Sequence, residues 1–212
     1  MHYQGIIKKI VKRPLQGRTT GLTQLEPILK RIYLARGLES EAQLERSLAK
    51  LPSPWLLTGM EEMVTYLIAA LEQQKKIVIV ADFDADGATS CTVALKGLAL
   101  LGATQVDFIV PNRFEYGYGL TPEIVELVID KQADVLITVD NGISSFAGVL
   151  AAKEAGIQVL VTDHHLPAEE LPAADAIVNP NLVGDEFPSS ALAGVGVMFY
   201  VLMAMRSRLR EQ

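Results

Sequence analysis

Cysteine and long apolar runs are scarce in this 212-residue chain. The single cysteine, Cys91, rules out an internal disulfide and a zinc site built from cysteines, and it fits a reducing compartment. No run of about 18 uncharged apolar residues is present, and residues 1–17 have neither the apolar stretch nor the small-residue cleavage site of a secretion signal. We therefore expect a cytoplasmic protein with no membrane partner.

Internal repeats and low-complexity tracts are also missing. Half of the residues (50%) are apolar, which is enough to build the core of one α/β domain with a small appendage. This composition excludes a disordered or fibrous protein.

Positive charge is in deficit overall, with a formal net charge of -6. Phosphate binding normally needs a basic face, so this balance at first argues against a nucleic-acid partner. The charge is unevenly distributed, however, because residues 1–18 contain five bases and no acid, which leaves a formal charge of -11 on the rest. Part of that excess would be neutralised if the carboxylates held divalent cations. The basic arm is either a phosphate contact or a solvated terminus, and it consists of Lys8, Lys9, Lys12, Arg13 and Arg18.

Residues 1–74 form the first predicted region, a basic arm followed by a helical appendage. Apolar residues from Leu22 to Tyr33 recur at helical spacing, and Gly37 ends that stretch. Pro52 and Pro54 mark a break before a second amphipathic stretch, which continues to Leu71. No chemistry is evident here.

Residues 75–212 have a different pattern, in which short apolar runs alternate with helix-length segments. The runs at 77–81, 106–110, 135–139 and 157–161 are rich in β-branched residues, as strands buried on both faces should be. The segments 88–101, 121–131 and 144–155 suit crossover helices; a fifth strand is predicted at 176–178 and a final helix at 193–210. This order predicts an α/β fold, an open parallel sheet with helices on both faces.

Polar residues follow each predicted strand at once. Because the carboxyl ends of parallel strands share one edge of the sheet, where open α/β sheets bind ligands, these side chains should converge. They are Asp82, Asp84 and Asp86, then Asn112 and Arg113, then Asp140 and Asn141, and finally Asp163, His164 and His165.

Converging carboxylates repel one another unless a cation lies between them. Four aspartates with one or two imidazoles suit Mn²⁺ or Mg²⁺ better than zinc, and two such ions could act on a phosphodiester. Gly87 permits a tight turn and close approach of a phosphate to a helix start. A calcium loop of the EF-hand type is excluded because its twelfth position would be Val93 rather than glutamate. Single aspartates at strand ends are often turn formers or helix caps, but that explanation does not account for the whole set.

The four strand-end segments together resemble the successive motifs of the DHH phosphoesterase family. They read VADFDADGATS (80–90), VPNRFEYGYGL (110–120), TVDNGISS (138–145) and VTDHHLP (161–167). The PNRF segment and AGVGV (193–197) are similar to a bacterial branch of that family. The resemblance covers nearly the whole chain, and it implies a nuclease that degrades single-stranded DNA from its 5′ end in repair and recombination, with Mn²⁺ or Mg²⁺.

The resemblance also implies roles for individual residues. Asp84 and Asp86 would be metal ligands, with Asp82 in or next to the ligand set, and Asp140 would bridge two ions. His164 would be a ligand and His165 would lie beside the scissile phosphate. Asp163 would orient a histidine rather than bind metal, since ligating imidazoles usually donate their other N–H to a carboxylate. Asn112 and Arg113 would hold DNA phosphate, although a surface ion pair is the alternative for Arg113. Asn179 and Asn181 are weaker phosphate or structural candidates.

Members of the family contain a further metal aspartate and a second domain beyond the glycine-rich segment at 193–197. Neither Asp175 nor Asp185 lies in a matching context. We therefore expect an incomplete catalytic core with weakened metal affinity and no processive degradation. By the same resemblance, a single-strand-binding protein or a helicase is a possible partner.

Other functions remain open at this level. A relative that hydrolyses small nucleotides or very short oligonucleotides would use the same metal centre. An aspartyl-phosphate phosphatase could use Asp82 and Asp84, but it leaves His164 and His165 without a task. A non-catalytic binding scaffold is the third alternative, and the presence of Asp84, Asp86 and Asp140 argues against it.

Overall fold

The computed structural model describes residue 11, residues 22–45 and residues 47–211. The predicted basic arm at residues 1–18 therefore lies outside the described residues, except for Val11. Two compact units are present, Met1–Leu51 and Pro52–Gln212. Within the described part of the chain, none of the helices combines the length and the apolar character needed to cross a bilayer.

The described portion of the first unit contains helix α1 (Pro27–Leu34) and two short 3-10 helices, Glu41–Leu44 and Leu48–Lys50. Pro27 occupies the start of α1, where its missing N–H costs no hydrogen bond. The carboxylate of Glu41 accepts hydrogen bonds from the backbone N–H groups of Thr23 and Gln24. The helical pattern predicted from residue 20 is thus confirmed only in part, because regular α-helix begins at Pro27 and the segment after Gly37 is short 3-10 turns.

The second unit contains the sheet and its helices. After a 3-10 helix at Pro54–Leu56, its elements are α2 (Met60–Glu72), β1 (Ile77–Ala81), α3 (Ala85–Leu100), β2 (Val106–Ile109), α4 (Arg113–Tyr116), α5 (Pro122–Asp130), β3 (Val135–Val139), α6 (Phe146–Glu154), β4 (Gln158–Thr162), β5 (Ala176–Val178) and α7 (Gly194–Leu209). The five strands are all parallel, in the order β2-β1-β3-β4-β5. The predicted open parallel sheet is confirmed.

Helices cover both faces of this sheet. Alternate residues of β1 face opposite sides, so that Ile77 and Ile79 belong to one buried apolar cluster and Val78 and Val80 to another. The first cluster is shared with α2, α3 and α7, and the second with α5 and α6. Burial on both faces is the reason that β1 is apolar throughout and that β3 is apolar apart from Thr138.

Helix α2 belongs to the α/β unit rather than to the N-terminal one. Its residues Met63, Val64 and Leu67 are fully buried in the cluster that also contains β1 and α7. The boundary predicted after residue 74 therefore falls inside the second unit, which begins at Pro52. Amphipathic periodicity identified the helix, but periodicity does not tell which body its apolar face joins.

Helix α3 begins three residues earlier than predicted, at Ala85 instead of residue 88. The side chain of Asp84 accepts hydrogen bonds from the N–H groups of Asp86 and Gly87, which caps the helix. Asp86 and Gly87 are therefore part of the first helical turn, not of a loop before it.

Candidate metal and phosphate site

Three aspartates lie in one row at the carboxyl edge of the sheet. The parallel pairing continues one step beyond the strands, because the N–H groups of Asp82, Asp140 and Asp163 donate to Val139, Thr162 and Val178 respectively. The order in which strands are added to the sheet reverses at β1, since β2 lies on one side of β1 and β3 on the other. Open α/β sheets bind ligands at such a switch point.

Asp140 lies at the centre of this edge. Its side chain is 1% exposed, and its backbone has a positive φ of 62°. The atom Oδ1 lies 3.1 Å from Nε2 of His164 but has no hydrogen-bond partner among the described residues. Burial and the charges of Asp86 and Asp84 raise the pKa of Asp140 to about 7. A buried carboxylate with an unpartnered oxygen is what a divalent cation would satisfy.

Asp140 is shared by two groups of possible metal ligands. One group combines it with Asp82 and Asp84, and the other with His164 and His165; in each group, the donor atoms lie within 4.8 Å of one another. The residues present therefore fit a pair of oxygen-preferring cations with Asp140 between them.

Asp86 has a different setting from the other acids of the first motif. Its two carboxylate oxygens accept hydrogen bonds of 2.8 Å from the N–H groups of Gly194 and Val195, which ties the start of α7 to α3. Oδ2 also lies 3.6 Å from Nε2 of His164. Helix starts favour negative charge, so this contact is favourable without a metal. Asp86 is absent from both groups of possible ligands.

Arg113 pairs with an acid of the site. Its Nη2 lies 2.9 Å from Oδ1 of Asp82, whose side chain is only 7% exposed. The guanidinium also lies 5.9 Å from the ring centre of Tyr118. Arg113 thus brings a permanent cation to the edge that holds the carboxylates.

The histidine pair is held by a buried carboxylate. Oδ1 of Asp163 lies 2.7 Å from Nδ1 of His165 and also accepts hydrogen bonds from the backbone N–H groups of His164 and His165. Oδ2 of Asp163 accepts a hydrogen bond from Ile143 N–H. Burial alone would lower the pKa of His165, but the hydrogen bond to Asp163 and the nearby negative charges outweigh it and raise the pKa. Asp163 therefore favours the imidazolium form of His165.

The hydroxyl of Tyr118 also contacts His165, with Oη 3.2 Å from Nε2 and 3.4 Å from Nδ1. Burial, followed by the charges of Asp163 and Asp82, raises the pKa of Tyr118 well above its usual value. Sequence reasoning did not single out Tyr118; the signal was its place in the segment that carries Arg113. Both residues line a pocket of about 750 Å³, together with Thr121, Phe146 and His165.

Two asparagines support the histidine backbone. Nδ2 of Asn179 donates to the carbonyl of His165, and Nδ2 of Asn181 donates to the carbonyl of His164. The Oδ1 atom of Asn179 accepts a hydrogen bond from Asn181 N–H. Asn179 is fully buried, so the predicted phosphate role does not fit its position, and its structural alternative does.

A family model described as DHH family, N-terminal domain, matches residues 76–212. The chain belongs to the DHH family. It is 50% identical to the single-stranded-DNA-specific exonuclease RecJ of Haemophilus influenzae over 208 residues, which are 97% of this chain and 36% of that protein. The Escherichia coli RecJ is also 50% identical, over 190 residues that are 89% of this chain and 33% of that protein. The chain thus spans about a third of the length of these curated relatives.

Solved structures agree with this assignment to the DHH family. A crystal structure of exonuclease RecJ bound to manganese superposes with a TM-score of 0.68 at 39% identity, covering 77% of this chain and 40% of that one. The RecJ of Thermus thermophilus in complex with Mn²⁺ also gives a TM-score of 0.68, at 34% identity, covering 84% of this chain and 24% of that one.

The DHH-type edge thus brings together most of the residues predicted from the sequence. Asp140 lies with the acids of the first motif on one side and both histidines on the other, with Arg113 beside them. Asp163 contacts the imidazole of His165, whereas its contact with the predicted ligand His164 is to the backbone N–H. The side-chain oxygen of Asn112 accepts a hydrogen bond from Phe114 N–H and begins α4, so its phosphate role stays a prediction.

Proposed function

We propose that this chain carries the metal-dependent site of an exonuclease that hydrolyses phosphodiesters of single-stranded DNA in repair and recombination. The observation that carries the proposal is the sharing of Asp140 between two groups of metal-type ligands, in a chain half identical to RecJ proteins. Digestion from 5′ to 3′ rests on the family resemblance. A cytoplasmic location and contact with a single-strand-binding protein or a helicase are further proposals from the sequence.

Mn²⁺ or Mg²⁺ would be held by Asp82, Asp84 and Asp140 on one side and by Asp140 and His164 on the other, with Asp86 next to His164. Such a pair of ions, when bound, supplies a water-derived nucleophile and neutralises charge on the phosphate. Ligand chemistry supports this choice, because carboxylate oxygens outnumber imidazoles and the single cysteine is elsewhere.

The protein's own cations would handle the phosphate. Arg113 would place its guanidinium on a phosphate oxygen, for which its planar fork is suited. His165, whose cationic form is favoured by Asp163, would stabilise charge that develops on the phosphate. Tyr118 would keep its proton, since its pKa is raised, and would orient the second ring nitrogen of His165.

The test is a nuclease assay of the chain with Mn²⁺ on a 5′-labelled long single strand, the matching duplex and a dinucleotide. We expect cleavage of the long strand from its labelled end and little attack on the duplex. Asp140→Ala should abolish cleavage and keep DNA binding. Faster hydrolysis of the dinucleotide than of the long strand would instead support the small-nucleotide alternative, and binding without any Mn²⁺-dependent cleavage would support the scaffold.

A further inference from the structure

The phenylalanines of this chain are unusually exposed. Of its six phenylalanines, only Phe187 is buried, and the other five have exposed side chains. Burying such a side chain would contribute roughly 1.5–3 kcal/mol of stability, so leaving five of them in water forgoes that gain. Phe114 is the most exposed of them at 89%, and Phe83 is 48% exposed.

Two of these rings lie beside the residues that carry the chemistry. Phe83 follows β1 between Asp82 and Asp84, and Phe114 follows Arg113 in the first turn of α4. An ion pair of 2.9 Å between Arg113 and Asp82 joins the two segments. Phe83 is the residue after Asp82, and Phe114 is the residue after Arg113. Phe83 and Arg113 also line one small cleft. An exposed phenylalanine thus follows each partner of the ion pair between the cation and a carboxylate of the site.

We propose that Phe83 and Phe114 form a stacking site for unpaired nucleobases at the mouth of the metal edge. A base in a duplex already stacks on its neighbours and is paired, whereas a base in a single strand can turn its face to an aromatic ring. Such stacking contributes about 1–3 kcal/mol per base and tolerates any sequence, because every base has a π-face. The ligand class is therefore single-stranded nucleic acid without base preference.

This inference rests on the proposed function and deepens it. A metal centre with an arginine recognises phosphate, which single strands and duplexes share. The two rings would supply the discrimination that phosphate contacts lack, because phosphate contacts carry no information about base pairing. The metal that the acids around Phe83 would hold, and the cation next to Phe114, fit a nucleotide, which presents a phosphate and a flat base side by side.

The experiment compares the binding of two fluorescent strands of equal length by anisotropy, in a buffer without divalent metal so that no cleavage occurs. One strand is an oligothymidylate and the other is abasic, with the same phosphates and no bases. We expect Phe83→Ala and Phe114→Ala each to weaken oligothymidylate binding by about 5-fold or more, the lower end of one lost stack. The loss on the abasic strand should be at least several-fold smaller.

Matched substitutions keep the comparison interpretable. Phe114→Trp should retain oligothymidylate binding, whereas Phe114→Leu, which stays apolar but has no ring, should lose it. Phe108→Ala is the control, because Phe108 is 47% exposed but pairs in register with Ile79, three residues before Asp82 and about 10 Å from the edge. It should bind both strands as the wild type does.

The outcomes separate the two proposals. Equal losses on both strands, or wild-type affinity of Phe83→Ala and Phe114→Ala for oligothymidylate, would overturn the stacking site while Mn²⁺-dependent cleavage by the wild type still stood. A wild-type protein that binds neither strand would overturn the stacking site, and the absence of Mn²⁺-dependent cleavage as well would overturn the proposed function.

Discussion

Asp140 is unfavourable for the metal-free fold, and we propose that the same residue is needed for metal binding. It combines a buried charge, neighbouring carboxylates and a left-handed backbone conformation, which Asn and Asp adopt more readily than other residues with a side chain. Its pKa is raised from 3.8 to about 7. Between these values, the folded metal-free protein keeps a proton that the unfolded chain has released. The contribution of Asp140 to stability therefore falls as the pH rises from about 4 to about 7 and is constant beyond that.

Asp140→Asn should stabilise the metal-free protein at pH 8 by about 1–3 kcal/mol, because it removes a buried charge whose pKa is shifted by several units. At pH 4 the two proteins should have similar free energies of unfolding. Urea unfolding in the presence of a chelator measures the difference. Asp130→Asn, at an exposed position, is the control and should have little effect at either pH. A wild type more stable than Asp140→Asn at pH 8 would contradict the raised pKa.

The same substitution should act in the opposite direction on metal binding. Mn²⁺ and the proton compete for the carboxylate of Asp140, so the affinity of the wild type for Mn²⁺ should increase between pH 6 and pH 8. Asp140→Asn should lose most of that affinity, because an amide oxygen carries no charge. Calorimetric titration at the two pH values gives the comparison, and an affinity independent of pH would argue against Asp140 as a ligand.

Asn179 is a second residue whose substitution should lower both stability and metal affinity, because its side chain makes two hydrogen bonds that support the histidine segment. Asn179→Ala leaves the carbonyl of His165 and the N–H of Asn181 without their partners in a partly buried place, which costs about 1–2 kcal/mol. We also expect weaker Mn²⁺ binding, because the histidine backbone loses a support. Asn179→Asp keeps the acceptor for Asn181 and should retain more stability than Asn179→Ala. Equal stability of all three proteins would refute the supporting role.

At the scale of elements, the start of α7 depends on close approach to the site. A Cβ atom on Gly194 would lie 2.5 Å from Oδ1 and 2.8 Å from the Cβ of Asp140, while the neighbouring N–H groups bind Asp86. Gly196 lies two residues further along the helix, and a Cβ there would lie 2.6 Å from a terminal methyl of Leu192. The Cβ of Asp140 is attached to the backbone and cannot move aside, whereas the end of the Leu192 side chain can rotate away.

Gly194→Ala should therefore displace Asp140, with a loss of about 1–3 kcal/mol of stability and at least a tenfold loss in Mn²⁺ affinity. Gly196→Ala is the matched variant in the same helical turn, and its cost should be smaller because Leu192 can rotate. Thermal unfolding and Mn²⁺ titration of both variants test this. Equal effects of the two substitutions would show that helix α7, not its contact with Asp140, is what matters.

Elements were predicted well where one physical cause dominates. The strands β1, β3 and β5 begin and end at the predicted residues, because burial leaves a run of apolar residues that only Thr138 of β3 interrupts. The strand β4 is displaced by one residue, from 157–161 to Gln158–Thr162, since Thr162 is polar but still pairs. The predicted start of α3 was wrong because Asp84 caps the helix, a role that is invisible when Asp84 is regarded only as a predicted ligand.

At the scale of the whole molecule, the α/β unit contains its own core. The two buried clusters on the faces of the sheet consist of residues between Leu57 and Met205. We predict that residues 52–212 alone unfold cooperatively and bind Mn²⁺ within about threefold of the 212-residue chain. Circular dichroism with urea unfolding and calorimetry would measure both. A fragment with native-like secondary structure but no cooperative transition would show that residues 1–51 are needed for the core.

The order of the amino acids was enough to predict the parallel sheet, the edge at which the polar residues meet, and most of the residues that lie there. Strand burial and strand direction are local consequences of composition and order, and for that reason they can be read from a linear chain. Tertiary structure alone decided which partner each polar group takes. Asp86 binds the start of α7 and Asn179 is buried beneath the histidines, because hydrogen bonds across more than ten residues depend on how helices and loops settle over the sheet. Asp163 takes His165, only two residues away, as its partner. The exposure of Phe83 and Phe114 was also decided by the tertiary structure, since an aromatic residue in a sequence is expected in the core and only the fold shows that it is exposed.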